Sequence, residues 1–464
     1  MMTLSLAVRN LLRNRRRSLA TLLAMAIGAT SILLFGGFSS NVNYELHTRH
    51  VRKGGHLQIQ HRDFFLYGSG NPTAYGITDF TKILAAIQND EMLRSMVLVA
   101  TPTLQFGGIA GNYAAGVSRT IIGNGFVAED INRMRRWNDF DLRTKAPESA
   151  LEGAAADAAV VGTGVARVLQ LCDALKIERC PKPEKDKAAD GKALPDDIAQ
   201  LSLQETPAAS GTTAANPRRI EVLVVNARGA PNVTAVEVIR AEEQGIKELD
   251  EIYMMMHFAQ IKQLMYGTSP PKATSIMLQL RHSTEIPAAL TRLTSILAQF
   301  STQPLAVLDF RALNPFYVQT MQMFDTIFGF VFVLIGGIVL FTVSNTMNTT
   351  VVERIVEIGT LRAIGLRRAG ILRLFVTEGA LLGLCGAVLG VVLALLLSAI
   401  INQIGMPWLP PGNVELVPFT LNVWGETRMI LGTTFGLISI AILSAWWPAY
   451  RAAQLNVVEA LRHV

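Results

Sequence analysis

The residues best placed to do chemistry lie in one run, Val352-Glu353-Arg354-Ile355-Val356-Glu357-Ile358-Gly359-Thr360-Leu361-Arg362-Ala363-Ile364-Gly365. Glu353 and Glu357 form an i, i+4 pair on one helical face, while Ile355, Ile358 and Leu361 recur at helical spacing on another. Arg354 and Arg362 add two cations, and Gly365 stands where a helix would stop before Arg367 and Arg368. On a short amphipathic helix, groups of this kind suit docking. A short helix of mixed charge fits a protein groove, its apolar stripe facing that groove or a membrane surface. A helix held to anionic lipid is the alternative, and the two acidic residues weigh against it.

Covalent chemistry finds little support. The sequence has no G-x-x-x-x-G-K-[ST] loop to cradle phosphates, no H-E-x-x-H, no G-x-S-x-G and no G-x-G-x-x-G between a strand and a helix. Asp325 and Glu378 sit at the ends of apolar runs and read as solvated or interfacial carboxylates; no ionisable residue lies centrally in such a run. We expect no catalytic residue, metal site or cofactor in this chain. Cys172 and Cys180 belong to no C-x-x-C or Cys/His cluster. A disulfide between them suits an oxidising compartment, with two free thiols as the alternative. Cys385 reads as a small core residue of an apolar helix.

The elements that must hold the 352–365 run are membrane helices. Half of the 464 residues are apolar and 17% are charged, against about 25% charged in soluble proteins, and the mean hydropathy is +0.32. Disorder and collagen-like repeats are excluded, as is a disulfide-dense scaffold given 3 Cys, and a net charge of +6 without a basic cluster does not point to nucleic acid. Four apolar runs, residues 19–39, 323–350, 369–402 and 428–450, are long enough to span a bilayer as helices. The first could be a signal peptide, but it exceeds the usual core of roughly 7–15 residues and lacks an A-x-A-like site, so it reads as a retained anchor.

Arginines mark one side of the map. Arg9, Arg13 and Arg15 to Arg17 precede the first run; Arg354, Arg362, Arg367, Arg368 and Arg373 separate the second and third; Arg451 and Arg462 follow the fourth. Residues 403–427 have no Lys or Arg. This asymmetry predicts a cytoplasmic basic segment (1–18), coupling helix (351–368) and tail (451–464), with 40–322 and 403–427 outside. Gly379, Gly383, Gly386 and Gly390 share one face of the third run, and Gly432 and Gly436 repeat small-x-x-x-small spacing in the fourth. Both predict close helix packing, within the subunit or between subunits.

Residues 40–322 are ample for a folded core. Stretches at 56–60, 96–100, 219–225, 233–239, 274–280 and 304–310 read as strands, and 79–88, 249–265 and 286–300 as helices. The fold class expected is an integral membrane α-helical protein with a large extracytoplasmic α+β domain between its first two spans. Residues 181–217, charge-rich and then rich in Ala, Ser, Thr, Gly and Pro, read as a mobile insertion, either a surface loop or a partner-binding arm.

The run E-R-x-x-E-I-G-x-x-R-A-x-G at 353–365, followed by Ile371, Phe375, Glu378 and the glycine face, resembles the FtsX/MacB-type ABC transporter permease domain. Pro448-Ala449-Tyr450-Arg451-Ala452-Ala453 and Val457 to Arg462 are similar to that family's closing motif, with Val457 in place of its proline. Arg9 to Asn14, Met406 to Gly412 and Val160 to Ala166 resemble further family stretches. The resemblance implies a dimeric permease, homo- or heterodimeric, docked on a cytoplasmic ABC ATPase that binds ATP and Mg. With no phosphate-cradling loop in these 464 residues, the arrangement expected is that of the LolC/LolE group, with the ATPase a separate polypeptide. Glu353, Arg354, Glu357, Ile358, Gly359, Arg362, Ala363 and Gly365 are the implied coupling residues.

The implied location is the bacterial inner membrane. The implied work is done outside it: lipoprotein or lipid extraction, or export of a periplasmic substrate, with a periplasmic carrier or adaptor as a further partner. The alternative is a non-transporting, FtsX-like mechanotransmitter that regulates an envelope enzyme. A stand-alone receptor would leave the 352–365 run without a role.

Overall fold

The structure is a computed structural model that describes residues 2–13, 15–177, 180, 216–409 and 416–455. Most of the 181–217 insertion, the end of the Met406 to Gly412 stretch and the closing stretch from Val457 to Arg462 lie outside the described residues. The chain divides into two compact units, one mainly helical (1–46, 316–410 and 416–464), the other chiefly residues 47–315.

The helical unit is built from α1 (Met2–Arg13), α2 (Arg15–Gly54), α3 (Pro315–Glu353), α4 (Ile355–Ala363), α5 (Arg368–Ile404) and α6 (Thr427–Gln454). The helices α2, α3, α5 and α6 are long and apolar enough to cross a membrane, so the apolar runs are the interiors of longer helices. The unit's core joins Met25 and Ala29 of α2, Val343 and Met347 of α3, Phe375 of α5 and Ala445 of α6.

The α5 glycine face packs inside this unit and serves two neighbours. A Cβ added at Gly379 would lie 2.5 Å from Ala445 Cβ, and one at Gly383 2.9 Å from Ala441 Cβ, both on α6. One turn further on, Gly386 meets Met25 Cβ at 2.7 Å, and Gly390 lies against Ala26 and Ala29, all on α2. Only hydrogen atoms leave room for these approaches, in lipid the main source of helix–helix attraction. Gly436 likewise lies 2.8 Å, by its added Cβ, from the Phe332 ring of α3. Gly432 makes no such approach within the subunit: among the described residues nothing stands within 4 Å of its added Cβ. On α6 the packing spacing is carried by Ala441, Ala445 and Ala449, all fully buried. Cys385 is also corrected, since it lies exposed on the far side of α5 rather than in the core.

The second unit is α+β. Its nine strands are β1 (Leu57–His61), β2 (Val97–Asn112), β3 (Val117–Phe126), β4 (Ala158–Gly162), β5 (Arg219–Val225), β6 (Pro231–Glu242), β7 (Tyr253–His257), β8 (Ser275–Leu280) and β9 (Leu305–Asp309). Their order is β3-β7-β4-β6-β5-β2-β8-β1-β9, and β2 pairs with β3 as well. The 16-residue β2 makes this possible. Its first half pairs with β8 (Ala100 opposite Leu278), and its second half lies between β3 and β5 (Gly108 opposite Ile121 and Val224). Six strands therefore close on themselves, while β8, β1 and β9 extend from the same strand.

Alternation sets the faces. In β5, Ile220, Val222 and Val224 are buried, whereas Arg219, Glu221 and Val225 are exposed. The expected single helix over 249–265 is overturned. Tyr253–His257 is a strand between β3 and β4, with a short helix at Lys247–Asp250 before it and a second helix at Phe258–Tyr266 after it. Met254, Met255 and Met256 are at most 1% exposed; burial in a sheet overrides the helical preference of a Met run. The stretch from Val160 to Ala166 is a strand-to-helix turn filled from within: the Asp250 carboxylate accepts from Thr163 N at 3.0 Å and Gly164 N at 2.7 Å. Cys172 and Cys180 are joined in a disulfide with Cα atoms 6.1 Å apart.

Candidate functional site

The α3 helix ends at Glu353 and α4 begins at Ile355. Arg354 alone stands between them, at φ −110° and ψ 19°, outside the helical region. The chain leaves α4 through Ile364 and Gly365, whose φ of +104° suits glycine. The segment is thus a nine-residue helix between two breaks, each break at one of the residues singled out by sequence.

Arg354 does not face outward. It is 5% exposed, and its Nη1 donates to Glu378 Oε1 on α5 at 3.1 Å. Its Nη2 donates to the Asn10 carbonyl on α1 at 3.2 Å. Asn10 Nδ2 in turn donates to Glu378 Oε1 at 2.6 Å. This corrects the reading of Glu378 as a solvated carboxylate: it is 1% exposed and bonded to two other elements. Removing one member of such a pair leaves a buried charge uncompensated, at a cost of about 3–5 kcal/mol.

Half-exposed ion pairs surround this buried one. Arg13 of α1 donates to Glu357 at 2.5 Å, and Arg17 of α2 pairs with Glu353 at 2.6 Å. Each adds at most about 1 kcal/mol at such exposure, so they orient the α3–α4 joint more than they stabilise it. Arg362 Nη1 donates to the carbonyls of Leu455 (2.5 Å) and Ala453 (3.4 Å) at the end of α6, where a cation meets free carbonyls and the negative end of the helix dipole.

The eight residues singled out as coupling residues therefore divide. Arg354, Ile358 and Gly359 are buried within the unit, and Arg362 is occupied with α6, so these four hold the segment in place. The expectation that the Ile355, Ile358 and Leu361 stripe faces a partner groove or a membrane surface is corrected: Ile358 and Leu361 join the unit's own core. Glu353, Glu357, Ala363 and Gly365 are exposed. Beside them stand Val352 (59% exposed), Val356 (44%) and Ile364 (80%). Sequence reasoning had given these three no role, although Val352 and Val356 share the i, i+4 spacing of Glu353 and Glu357. The result is a row of exposed apolar residues beside two carboxylates, from the last turn of α3 through α4 to Ile364, on a segment tied to α1, α2, α5 and α6. Its chemistry is docking.

One comparison with known proteins covers this region. Residues 326–457 match the FtsX-like permease C-terminal family. An uncharacterized ABC transporter permease of Methanocaldococcus jannaschii is 32% identical over 120 residues, covering 26% of this chain and 28% of that protein. The macrolide export ATP-binding/permease protein MacB of Shewanella oneidensis is 33% identical over 144 residues, covering 31% and 19%. MacB of Bradyrhizobium diazoefficiens is 26% identical over 230 residues, covering 49% and 32%. The matches thus span less than a third of the length of these curated relatives. The extracellular domain of the noncanonic ABC-type transporter YknZ from Gram-positive bacteria matches 55% of this chain and 99% of that one, at 13% identity and a TM-score of 0.28.

Proposed function

We propose that this chain, an FtsX/MacB-type permease by its C-terminal region, is the membrane subunit of an ABC transporter whose α4 face docks on a cytoplasmic ATPase. ATP and Mg are bound by that ATPase, outside these 464 residues. Two permease subunits, identical or different, form the membrane part. The arginine-rich flanks support a cytoplasmic side for α4 and both ends of the chain, and the membrane of this reading is a bacterial inner membrane. On that map the α+β unit stands in the periplasm, where its movement extracts a lipoprotein or lipid, as in the LolC/LolE group, or expels a periplasmic substrate.

The observation that carries the reading is the exposure of Val352, Val356 and Ile364 along the 352–364 segment, which is fastened to α1, α2, α5 and α6. The two carboxylates beside these residues are each paired with an arginine, and such a mixed acidic and basic edge suits a protein groove better than an anionic lipid surface. The test is purification in mild detergent of the unaltered chain and of Ile364→Asp. A polypeptide with a G-x-x-x-x-G-K-[ST] loop should accompany the first at stoichiometric yield and be lost from the second. Purification of the unaltered chain without any such polypeptide contradicts the proposal.

A further inference from the structure

We infer that Arg354, Glu378 and Asn10 form a buried pivot that makes α1, the α3–α4 joint and α5 move as one body when α4 is pushed. The inference rests on the proposed docking of an ATPase on α4 and adds the residues that pass the push onward. Arg354 is the residue at which helical geometry is lost between α3 and α4, so a tilt of α4 against α3 turns about it. At that position a flexible residue would let the tilt die out. Here the turning residue is instead tied by its guanidinium to a carboxylate on α5 and a carbonyl on α1, and Asn10 closes the triangle by bonding the same Glu378 oxygen.

Burial gives the triangle its stiffness. Arg354 and Glu378 are 5% and 1% exposed, so water cannot replace either partner while the other moves. Separating the two would leave both charges buried and unpaired, an outcome far costlier than loss of a surface pair. The half-exposed pairs Arg13–Glu357 and Arg17–Glu353 can yield during a tilt; the buried one must be carried along. The carboxylate sits one residue before Gly379, where α5 enters its close packing with α6, so a displacement at Glu378 reaches the glycine face directly. Arg354 and Glu378 are in this sense positioning residues.

The test compares the full-length complex with its ATPase, with and without a non-hydrolysable ATP analogue, by hydrogen–deuterium exchange. In the unaltered complex the analogue should change exchange in α4 and, with it, in α1 and the first turns of α5. The double variant Arg354→Met with Glu378→Met removes both charges at similar volume, so the fold survives where either single change would strand a charge. In that variant the change at α4 should persist while the changes in α1 and α5 are lost; Asn10→Leu should weaken the α1 response alone. A double variant whose α1 and α5 respond as in the unaltered complex overturns the pivot and leaves the proposed function standing. Absence of any analogue-dependent change at α4 in the unaltered complex overturns the docking, and the pivot with it.

Discussion

At the scale of single residues, exposure separates groups that touch a partner from groups that hold the fold. Glu357 is half-exposed and faces Arg13, so Glu357→Lys should shift thermal stability by less than about 1 kcal/mol yet abolish ATPase co-purification. Adding Arg13→Glu restores an ion pair within the chain and should not restore co-purification; its return would assign Glu357 to the internal pair instead. A second group is tuned by burial. His56 is pushed down to about 3 by burial and by neighbouring His47, and its Nδ1 accepts from Leu280 N at 3.0 Å. Because the unfolded residue, near 6.5, takes a proton that the folded one refuses, stability is full above that value and falls as pH drops toward 3. Thermal melts of the full chain should show the α+β unit losing stability between pH 6.5 and 4.5, with a shallower loss in His56→Gln; equal slopes would show that His56 does not contribute. Glu378 shows what sequence left unread. With Ile371, Phe375, Leu382 and Gly386 it lies on the inward stripe of α5, and a carboxylate on a packing stripe must be buried and needs a cation. The spacing was visible; the partner, 24 residues away across two helix ends, was not.

At the scale of elements, the spans were readable because about 20 uncharged apolar residues have few other uses. Their contacts were readable only where small residues recur. The four glycines of α5 do pack, but sequence could not tell that two serve α6 and two serve α2. Gly432 shares the motif spacing and meets none of the described residues within 4 Å, whereas Ala441 and Ala445, less conspicuous in a helix, receive Gly383 and Gly379. Gly390→Val should therefore lower the yield of folded protein, since overpacking costs about 1–3 kcal/mol, and Gly432→Val should leave it unchanged in size-exclusion profiles. Equal loss in both would place Gly432 in an interface between subunits. In the α+β unit, strands with clean alternation such as β5 were legible. The strands β4 and β7 were not, because a strand buried on both faces loses its period and short apolar runs then resemble helix.

At the scale of the whole molecule, the chain joins the short helix α4, a buried triangle and an α+β unit carried between α2 and α3 in sequence. Its topology is open to a direct check in a Cys385→Ala background. A cysteine at Ser118 should react with an impermeant maleimide in intact cells and one at Arg368 only after lysis; labelling of Arg368 in intact cells would reverse the map. The central claim is that the exposed face of α4 touches an ATPase, and site-specific photo-crosslinking in living cells tests it most directly. A photoreactive residue at Ile364 or Val356 should capture one polypeptide whose sequence contains a G-x-x-x-x-G-K-[ST] loop, while the same residue at buried Ile358 should capture none. Capture of lipid alone at Ile364 and Val356, with no ATPase at either, would contradict the account.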